Sequence, residues 1–465
     1  MRLLPYQQKG ADWLASRSRG LLGDEPGLGK TAQLVVAADH VDARSILICV
    51  PAIGRYVWER EIKLWSYWGH KINVLLTQDC RAAPDAVNIV SYDLLSRGFA
   101  KTGYAHNDFL KRIISFKWDV VIADEAHRLK EANSLRTQAV LGSNGIGQST
   151  RRLWMATGTP MPNDPSELWT LLVSLGATTL EYSQFIARFC ELGTWGFSKG
   201  KPIGANMANA GELNLLLKGV MMRRLKEFVL PDLPKIRIDD FPIPSVKINL
   251  KEFFEDALIN QPLVEERIKD QEAFVQDMWT RTISTGGKTT TNEMIVALEA
   301  LGESVSYYRR WLGAVKAASF VPIIEEELET GAVKKVVIFA HHHQVVKYLS
   351  VKLKSFNPVV VDGSVNMPTR MKLVDNFQKD PKIRVFIGSI KSCQEVITLT
   401  AAHEVVVVEP DWVPSNNAQA VMRVHRIGQK MPVRARFVRL ADTLDDYIME
   451  VLAKKTREIV RIVDN

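Results

Sequence analysis

The sequence contains few cysteines and no long apolar run. Its four cysteines lie far apart in a chain of 465 residues, at Cys49, Cys80, Cys190 and Cys393. Because zinc sites and disulfide frameworks need closely spaced or paired cysteines, this spacing argues against both and favours a reducing compartment. The longest apolar runs, such as the four valines of 405–408, are far shorter than a membrane-spanning helix.

Targeting signals and repeats are also missing. The segment MRLLPYQQKG at the N-terminus contains no apolar core of signal-peptide length. We therefore expect the protein to stay in the compartment where it is made, which is the cytoplasm or nucleoid, or the nucleus in a eukaryote. No low-complexity tract and no repeat of about 20–50 residues is visible.

Charge and length narrow the class of protein. The chain has 60 Lys and Arg against 52 Asp and Glu, a net charge of +8, which favours an anionic partner without identifying one. Apolar residues make up 46% and charged residues 24%, an ordinary globular composition. A chain of this length is too long for one core, so we expect two or three domains.

Short apolar runs alternate with amphipathic stretches over residues 1–240 and again over 331–465, which predicts an α/β fold. Because the runs are apolar throughout, they predict parallel strands covered by helices on both faces. Residues 241–330 have helical periodicity, which predicts a helical segment between two α/β lobes. The predicted strands lie at 45–50, 87–92, 119–123, 152–157, 334–340, 358–363, 383–389, 403–409 and 433–440.

The segment LLGDEPGLGKTAQ at 21–33 predicts a phosphate-binding loop between a strand and a helix. Its glycines let backbone N–H groups converge on phosphate oxygens, and the start of the helix adds a partial positive charge. Lys30 would contact the terminal phosphates, and Thr31 would bind Mg²⁺ through its hydroxyl. The usual loop has glycine six positions before the lysine, whereas this one has Asp24. A second Gly-Lys-Thr triplet, at 287–289, follows no predicted strand and predicts a flexible loop.

The segment DVVIADEAH at 119–127 predicts a second part of the same site. A buried strand that ends in Asp124 and Glu125 places two carboxylates at the carboxyl edge of the sheet, where α/β proteins bind ligands. Asp124 would hold the Mg²⁺ that contacts the β- and γ-phosphates, and Glu125 would polarise the attacking water. Together with a phosphate loop, this pair predicts an ATPase.

The sequence Asp-Glu-Ala-His after a phosphate loop resembles the corresponding motif of the second helicase superfamily. The ATPase core of that superfamily consists of two RecA-like lobes that close on ATP. The loop from Asp24 to Thr31 matches Asp-Glu-x-Gly-Leu-Gly-Lys-Thr, the form used by the Swi/Snf-type double-stranded DNA translocases. The sequence Phe-Ala-His-His at 339–342 is similar to the HepA-related annealing-helicase branch. Other blocks resemble this family in the family's order: LPYQ at 4–7, ICVPA at 48–52, VSYDLL at 90–95, ATGTPMPN at 156–163, MRRLKEFVLPDLPK at 222–235, VDGSV at 361–365, QAVMRVHRIGQ at 419–429 and DTLDDYI at 442–448.

The resemblance implies a P-loop NTPase that uses ATP and Mg²⁺ to move on or remodel double-stranded or branched DNA, bound through its phosphates. Gln7 would read the adenine. The nucleotide-binding residues would be Gln7, Asp24, Glu25, Gly27, Leu28, Gly29, Lys30 and Thr31. The metal ligands would be Thr31 and Asp124, and the catalytic residues would be Lys30, Glu125, Arg423 and Arg426. The two arginines would reach the γ-phosphate from the second lobe.

Two other functions remain open at this stage. One is a strand-separating DNA or RNA helicase of the same superfamily, and the other is an ATP-gated DNA-binding module with weak turnover. No appended module for reading DNA sequence or for recruitment is evident in the sequence. We therefore expect a monomer that a partner protein directs to its DNA.

One block departs from the family pattern. Within 388–402, the family has Ala-Gly-x-Gly-Leu-Thr-Leu-Thr, and Gln394 and Val396 replace its two glycines. Such glycines allow a close approach of the backbone to the ATP cleft and the DNA strand. The substitutions either slow the coupling between hydrolysis and movement or redirect the loop, so neither residue is assigned a binding role.

Two further features allow more than one interpretation. Three consecutive histidines at 341–343 suggest a metal site, but we favour a strand-end loop because consecutive residues leaving a strand converge poorly on one ion. Residues 412–441 contain six Arg and Lys and no acidic residue. Apart from the two catalytic candidates, these are either phosphate contacts or a solvated strand face: Lys430, Arg434, Arg436 and Arg439.

Overall fold

The structure is a computed structural model that describes residues 2–97, 107–193, 199–244, 303–393, 397–440 and 443–464. The chain forms two compact units. The first contains Met1–Glu191, Gly204–Asp232 and Arg457–Asn465, and the second contains Leu192–Ile203 and Leu233–Thr456. In the described part of the chain, no helix has both the length and the apolar character needed to cross a membrane.

A seven-stranded parallel sheet forms the centre of the first unit. Its strands are β1 (Arg19–Leu22), β2 (Ile46–Val50), β3 (Lys71–Leu75), β4 (Ala86–Ser91), β5 (Val120–Asp124), β6 (Arg152–Ala156) and β9 (Met221–Met222). They lie in the spatial order β3-β4-β2-β5-β6-β1-β9. A separate two-stranded sheet consists of β7 (Cys190–Leu192) and β8 (Pro202–Ala205).

Helices cover both faces of this sheet, because successive residues of its strands are apolar on both sides. On β2, Ile46 and Ile48 belong to one hydrophobic cluster, whereas Leu47 and Cys49 belong to another. Two buried faces explain the uninterrupted apolar runs. The helices are α1 (Pro5–Ala15), α2 (Lys30–His40), α3 (Gly54–Trp65), α4 (Tyr92–Arg97), α5 (Asp108–Ser115), α6 (Leu135–Leu141), α7 (Trp169–Ser174), α8 (Tyr182–Phe189), α9 (Ala210–Val220) and α10 (Lys226–Val229).

The second unit has its own parallel sheet of six strands. These are β10 (Ile236–Ile243), β11 (Val336–Ala340), β12 (Val359–Val361), β13 (Val385–Ser389), β14 (Glu404–Val407) and β15 (Val433–Leu440), in the spatial order β10-β15-β14-β11-β13-β12. The remaining helices are α11 (Glu303–Glu329), α12 (His343–Lys352), α13 (Met367–Lys379), α14 (Ile390–Cys393), α15 (Pro414–Val421) and α16 (Leu444–Ile459). Short 3₁₀ turns occur at Ala126–Leu129, Ile146–Gln148, Pro165–Leu168, Met207–Asn209 and Leu353–Phe356, and a π-helical turn at Val460–Asp464.

The α/β prediction is confirmed in both units, and all nine predicted strands coincide with observed ones to within a few residues. Strand β3, with the sequence KINVL, and strand β10, with the sequence IRIDDFPI, were not predicted because polar residues interrupt their apolar pattern. Both lie at the edge of their sheet, where one side of the strand has no neighbouring strand among the described residues and polar residues are tolerated.

The compact units differ from the predicted lobe boundaries. Leu192–Ile203, inside the predicted first lobe, belong to the second unit, which also contains the described part of the predicted helical segment. Residues 233–240 belong to the second unit, because β10 pairs with β15 along its whole length, from Ile236 with Val433 to Ile243 with Leu440. Residues 457–465 belong to the first unit, where Ile462 and Val463 are buried in its core. Pairing between segments far apart in the chain leaves no mark in local periodicity.

Three sequence-based expectations lie outside the described residues. They concern most of the helical segment, at 245–302, the Gly-Lys-Thr triplet at 287–289, and the substituted glycine positions Gln394 and Val396.

Candidate functional site

The phosphate-loop candidate connects β1 to α2 in the first unit. Two of its glycines need a conformation that other residues rarely adopt, since φ is 94° at Gly27 and 74° at Gly29. A Cβ at Gly29 would also lie 2.5 Å from Nε2 of Gln7. Helix α2 then begins at Lys30, so the loop ends at the N-terminus of a helix, as an anion site requires.

Lys30 and Thr31 occupy the first turn of α2, and both side chains are half-buried. The Lys30 ammonium donates to the backbone oxygen of Asp24 at 2.8 Å. Burial lowers the pKa of Lys30, and the charge of Glu125 is the largest of those that oppose this change. A phosphate anion would compensate the poorly solvated ammonium.

Gln7 packs directly against the loop. It is 5% exposed, and its Nε2 donates to the backbone oxygen of Leu28 at 3.2 Å. Its Oε1 accepts from the N–H of Leu4 at 2.9 Å, and the hydroxyl of Tyr6 donates to the same Leu28 oxygen at 3.2 Å. The start of α1 therefore supports the loop at Leu28. The adenine-reading role of Gln7 stays a prediction.

The two acidic residues at the start of the loop point into the protein. Asp24 is completely buried, and its carboxylate accepts from Arg224 and from Gln33. Glu25 accepts the backbone N–H of Lys226 at 2.7 Å through Oε2. These carboxylates hold residues 224–226 against the loop.

Asp124 and Glu125 lie at the carboxyl end of β5, as predicted. Asp124 accepts the indole N–H of Trp58 at 2.8 Å and the backbone N–H of Glu125 at 2.9 Å, one on each carboxylate oxygen. The hydroxyl of Tyr92 donates to the backbone oxygen of Asp124 at 2.6 Å. Burial, and next the charge of Glu125, raises the pKa of Asp124 to about 6. A divalent cation would favour the charged carboxylate that burial disfavours.

Glu125 has a left-handed backbone conformation, with φ of 50°. Its carboxylate lies 3.3 Å from Nδ1 of His127, and that nitrogen also lies 3.0 Å from the hydroxyl of Thr157. Thr157 follows β6 and begins the Thr-Gly-Thr-Pro block, and its N–H donates to the backbone oxygen of Leu22 at the end of β1. The strand before the phosphate loop, the Asp124–Glu125 pair and the Thr-Gly-Thr-Pro block therefore meet at one edge of one sheet.

These residues fit a nucleotide with Mg²⁺. Thr31 and Asp124 offer hydroxyl and carboxylate oxygens, the donor type that Mg²⁺ prefers alongside phosphate and water. Across the described parts of the chain, no three His, Cys, Asp or Glu side chains are placed to hold a metal. Thr31 and Asp124 would therefore share such an ion with phosphate oxygens.

Three residues of this site have contacts that the motifs did not predict. Trp58 and Tyr92 hold Asp124, as described above. Arg223 donates to the backbone oxygens of Gly23 at 2.6 Å and Gly158 at 3.1 Å, so it joins the phosphate loop to the Thr-Gly-Thr-Pro block. Tyr92 and Arg223 lie in the blocks VSYDLL and MRRLKEFVLPDLPK, which gave them no role, whereas Trp58 lies in none of the quoted blocks.

In the second unit, Arg423 and Arg426 follow α15 and are half-buried. Arg426 donates through Nη1 to the backbone oxygen of Ile397 at 3.0 Å, and the backbone oxygen of Arg423 accepts from the N–H of Leu399 at 2.9 Å. The turn ends at Gly428, where φ is 99°. Both arginines therefore border the segment that follows the substituted glycine positions.

The three histidines at 341–343 have different neighbours. The buried carboxylate of Glu409 accepts the backbone N–H groups of His341 and His342, each at 2.9 Å, and lies 2.5 Å from Nδ1 of His342. His343 lies 3.2 Å from the carboxylate of Asp362. Their arrangement is that of a strand end tied down by a carboxylate.

Three of the basic residues in β15 face carboxylates of their own unit. Arg434 contacts Asp239 at 2.9 Å. Arg439 contacts Asp240 and Asp446. Arg436 is completely buried and donates to Glu327 through two nitrogens, each at 2.7 Å. These pairings give the arginines a structural role, and neither the phosphate-contact nor the solvated-face interpretation fits Arg436.

The chain is similar to known proteins over nearly its whole length. Residues 6–244 match the SNF2-related domain family, and residues 319–428 match the helicase conserved C-terminal domain. The chain is 28% identical, over 99% of its length, to the SWI/SNF-related matrix-associated actin-dependent regulator of chromatin subfamily A-like protein 1 of Drosophila melanogaster, of which it covers 56%. It is 30% identical, over 98% of its length, to the DNA annealing helicase and endonuclease ZRANB3 of Homo sapiens, of which it covers 40%.

The chain thus spans about half the length of the curated relatives that it matches. Among solved structures, the Sulfolobus solfataricus SWI2/SNF2 ATPase core in complex with dsDNA aligns with 100% of this chain and 97% of its own. The sequence identity is 20% and the TM-score is 0.44.

Proposed function

Because the chain belongs to the SNF2-related family, we propose that it is an ATP- and Mg²⁺-dependent motor that moves on or remodels double-stranded DNA. The observation that carries the proposal is the meeting of the phosphate loop, Asp124–Glu125 and Thr157 at the carboxyl edge of the first sheet. Ligands of α/β proteins bind at this edge. The two α/β units are the two RecA-like lobes of the family's engine.

Residues of the first unit bind and orient ATP. The amides of the loop and the Lys30 ammonium bind the β- and γ-phosphates, and Gln7 contacts the adenine. Thr31 and Asp124 would hold Mg²⁺, which would neutralise the charge that develops on the phosphates. Glu125, whose backbone conformation is left-handed with φ of 50°, orients the attacking water.

Arg423 and Arg426 of the second unit supply the cations that stabilise the transition state. Arginines in this role contribute roughly 10³–10⁵ in rate in other ATPases and GTPases. If DNA organises the two units, hydrolysis depends on DNA. We therefore expect Arg426→Ala to reduce DNA-stimulated turnover by at least about 10³ while ADP affinity of the first unit changes little.

The DNA partner is proposed from the family and from charge. Relatives are named for chromatin regulation and for DNA annealing, and the chain carries a net charge of +8. We propose that it binds duplex or branched DNA through phosphates, as a monomer directed by a recruiting protein. Binding should then weaken steeply with salt and show little sequence preference.

ATPase activity measured with duplex DNA, single-stranded DNA, forked DNA and RNA tests the proposal, with Lys30→Ala as the inactive control. Duplex or forked DNA should stimulate turnover most. A strand-separating helicase is the alternative, and stronger stimulation by single-stranded DNA or by RNA would establish it instead.

An ATP-gated binding module is the second alternative, prompted by Gln394 and Val396 in place of two glycines. This alternative predicts that, in the presence of DNA, the wild type hydrolyses ATP no faster than a Glu125→Gln variant. If wild-type turnover is no faster than that of the Glu125→Gln variant, the double variant Gln394→Gly/Val396→Gly tests whether the two substitutions cause the weak turnover.

A further inference from the structure

Asp24 stands where the usual phosphate loop has glycine, and its carboxylate is completely buried. Nε of Arg224 donates to Oδ1 at 2.9 Å, and Nη2 of Arg224 donates to Oδ2 at 2.5 Å. Nε2 of Gln33 donates to Oδ2 at 3.1 Å. A buried carboxylate needs such donors to stay charged, so these oxygens are committed to protein groups.

The contacts of Arg224 extend beyond Asp24. Its Nη1 donates to the backbone oxygen of Tyr6, and its Nη2 donates to Oε1 of Gln33 at 2.6 Å. The guanidinium carbon lies 5.4 Å from the centre of the Tyr6 ring. Arg224 therefore joins α1, the start of the loop and α2. We call Asp24, Gln33 and Arg224 the Asp24 clamp.

The clamp is connected to the parts of the loop that would bind phosphate. The Lys30 ammonium donates to the backbone oxygen of Asp24 at 2.8 Å. The backbone N–H of Glu25 donates to the backbone oxygen of Arg224 at 3.0 Å, and Gln33 donates to the backbone oxygen of Leu28 at 3.3 Å. Both ends of the loop are thus attached to the clamp.

Gly10 of α1 leaves the space that the clamp occupies. A Cβ at Gly10 would lie 1.9 Å from Oε1 of Gln33 and 2.6 Å from Nη2 of Arg224. Glycine is normally the less stable choice inside a helix, so its presence here needs a packing reason. The clamp provides that reason.

We propose that Arg224 is a positioning residue for the phosphate loop, which it holds through Asp24 and Gln33. Asp24 then supports nucleotide binding without touching the nucleotide, and it does so because its charge anchors Arg224. The inference rests on the proposed function, since it takes the loop to be the nucleotide-binding element. It explains why this loop has a carboxylate where a glycine is usual.

The experiment compares Asp24→Gly, Arg224→Met and Gly10→Ala in the full chain. The readouts are the dissociation constant of a fluorescent ADP without DNA, KM and kcat of the ATPase, and the melting temperature. Loss of charged hydrogen bonds that position the loop should raise the ADP dissociation constant by about tenfold to a hundredfold in the first two variants. Gly10→Ala should also raise the ADP dissociation constant, although it changes no charge.

Matched controls separate the clamp from general effects of substitution. Gly211→Ala also changes a helical glycine, but nothing lies within 4 Å of the added Cβ. Arg188→Gln removes an arginine whose exposed side chain pairs with Glu212 in the same unit. Both should leave the ADP dissociation constant within about twofold, because an exposed ion pair and an open site contribute little.

The results decide between clear alternatives. If Asp24→Gly binds ADP as tightly as the wild type, a glycine suffices at this position and the proposal is wrong. It is also wrong if the variants only melt earlier, with unchanged ADP affinity at a temperature where they are folded. If the wild type binds ADP but hydrolyses no ATP with any nucleic acid, the proposed function is wrong. The ADP affinities of the variants would still decide whether the clamp positions the loop.

Discussion

At the scale of single residues, Asp124 shows how neighbours distant in sequence prepare a side chain. Its carboxylate accepts the indole N–H of Trp58, and its backbone oxygen accepts the hydroxyl of Tyr92. Burial and the charge of Glu125 raise its pKa to about 6, while the Trp58 N–H favours the charged form. The carboxylate is thus held in place, ready for a cation.

We expect Trp58→Phe to weaken the use of Mg²⁺. Loss of the N–H should raise the Mg²⁺ concentration needed for half-maximal thermal stabilisation by ADP about tenfold, because a hydrogen bond to a charged group is lost. Trp118→Phe is the matched control, since its equally buried indole donates to the backbone oxygen of Ile113 at 2.9 Å, outside the site. Equal Mg²⁺ dependence in both variants would contradict the prediction.

His341, also at the residue scale, differs from Asp124 because a buried polar atom of its side chain lacks a hydrogen bond in the described part of the chain. Its Nδ1 is buried and has no hydrogen-bond partner within the described residues. Burial, with the charges of His342 and Arg309, lowers the pKa of His341 to about 4. The folded protein therefore keeps this imidazole neutral where the unfolded chain would protonate it.

A pH-dependent loss of stability follows. As pH falls from about 6.5 to about 4, the unfolded state binds a proton at His341 that the folded state does not, so folding becomes less favourable. Denaturation of wild type and His341→Phe should show the variant gaining up to about 3 kcal/mol relative to the wild type over this range. A stability difference that stays constant with pH would contradict the assignment.

At the scale of elements, α11 is fastened to the second sheet by charge as well as by apolar packing. Arg436 of β15 is completely buried, donates twice to Glu327 of α11, and lies 3.4 Å from Glu404 of β14. Its guanidinium carbon also lies 6.0 Å from the centre of the Phe320 ring. A helix of 27 residues is thereby fixed in register over the sheet.

Arg436→Met should destabilise the second unit by about 3–5 kcal/mol, because two carboxylates lose the cation that compensates their burial. Adding Glu327→Met and Glu404→Gln should recover much of that loss. The control is Arg434→Met on the same strand, where a partly exposed pair with Asp239 should contribute at most about 1 kcal/mol. Chemical denaturation measures all of these values, and equal losses at the two arginines would rule out the special role of Arg436.

At the scale of the whole molecule, the end of the chain completes the first unit. Ile462 and Val463 are buried in its core, and Nδ2 of Asn214 donates to the backbone oxygen of Ile462 at 2.8 Å. Asp464 pairs with Arg223 at 2.5 Å, and Arg223 contacts the start of the phosphate loop. The first unit is therefore assembled from three separate parts of the sequence.

Ile462→Ala should lower the free energy of unfolding of the first unit by about 2–4 kcal/mol through the cavity it leaves. Val460→Ala, two residues earlier and 45% exposed, should cost less than about 0.5 kcal/mol. Denaturant unfolding of the full chain measures the loss in each variant, and protection by nucleotide identifies the transition of the first unit. Similar small losses would show that the segment contributes little.

Much of the nucleotide site could be predicted from local sequence. The loop at 24–31 and the pair Asp124–Glu125 are contiguous patterns, each tied to the end of a strand whose apolar run is visible. Trp58, Tyr92 and Arg224 could not be predicted in their roles, because each donates hydrogen bonds to another segment that lies 30 or more residues away in the chain. The edge strand β10 was missed because its polar residues disrupt the pattern.

The sequence by itself determined the α/β class and the family, because periodicity and short motifs are local properties. Only the tertiary structure decided which groups contact the Asp24 carboxylate, which unit contains β10, and where residues 457–464 pack. These depend on burial and on pairing between segments separated by up to about 250 residues. Contacts over such distances form only when the chain folds, because buried charged groups then find hydrogen-bonding partners on other segments and apolar side chains pack together.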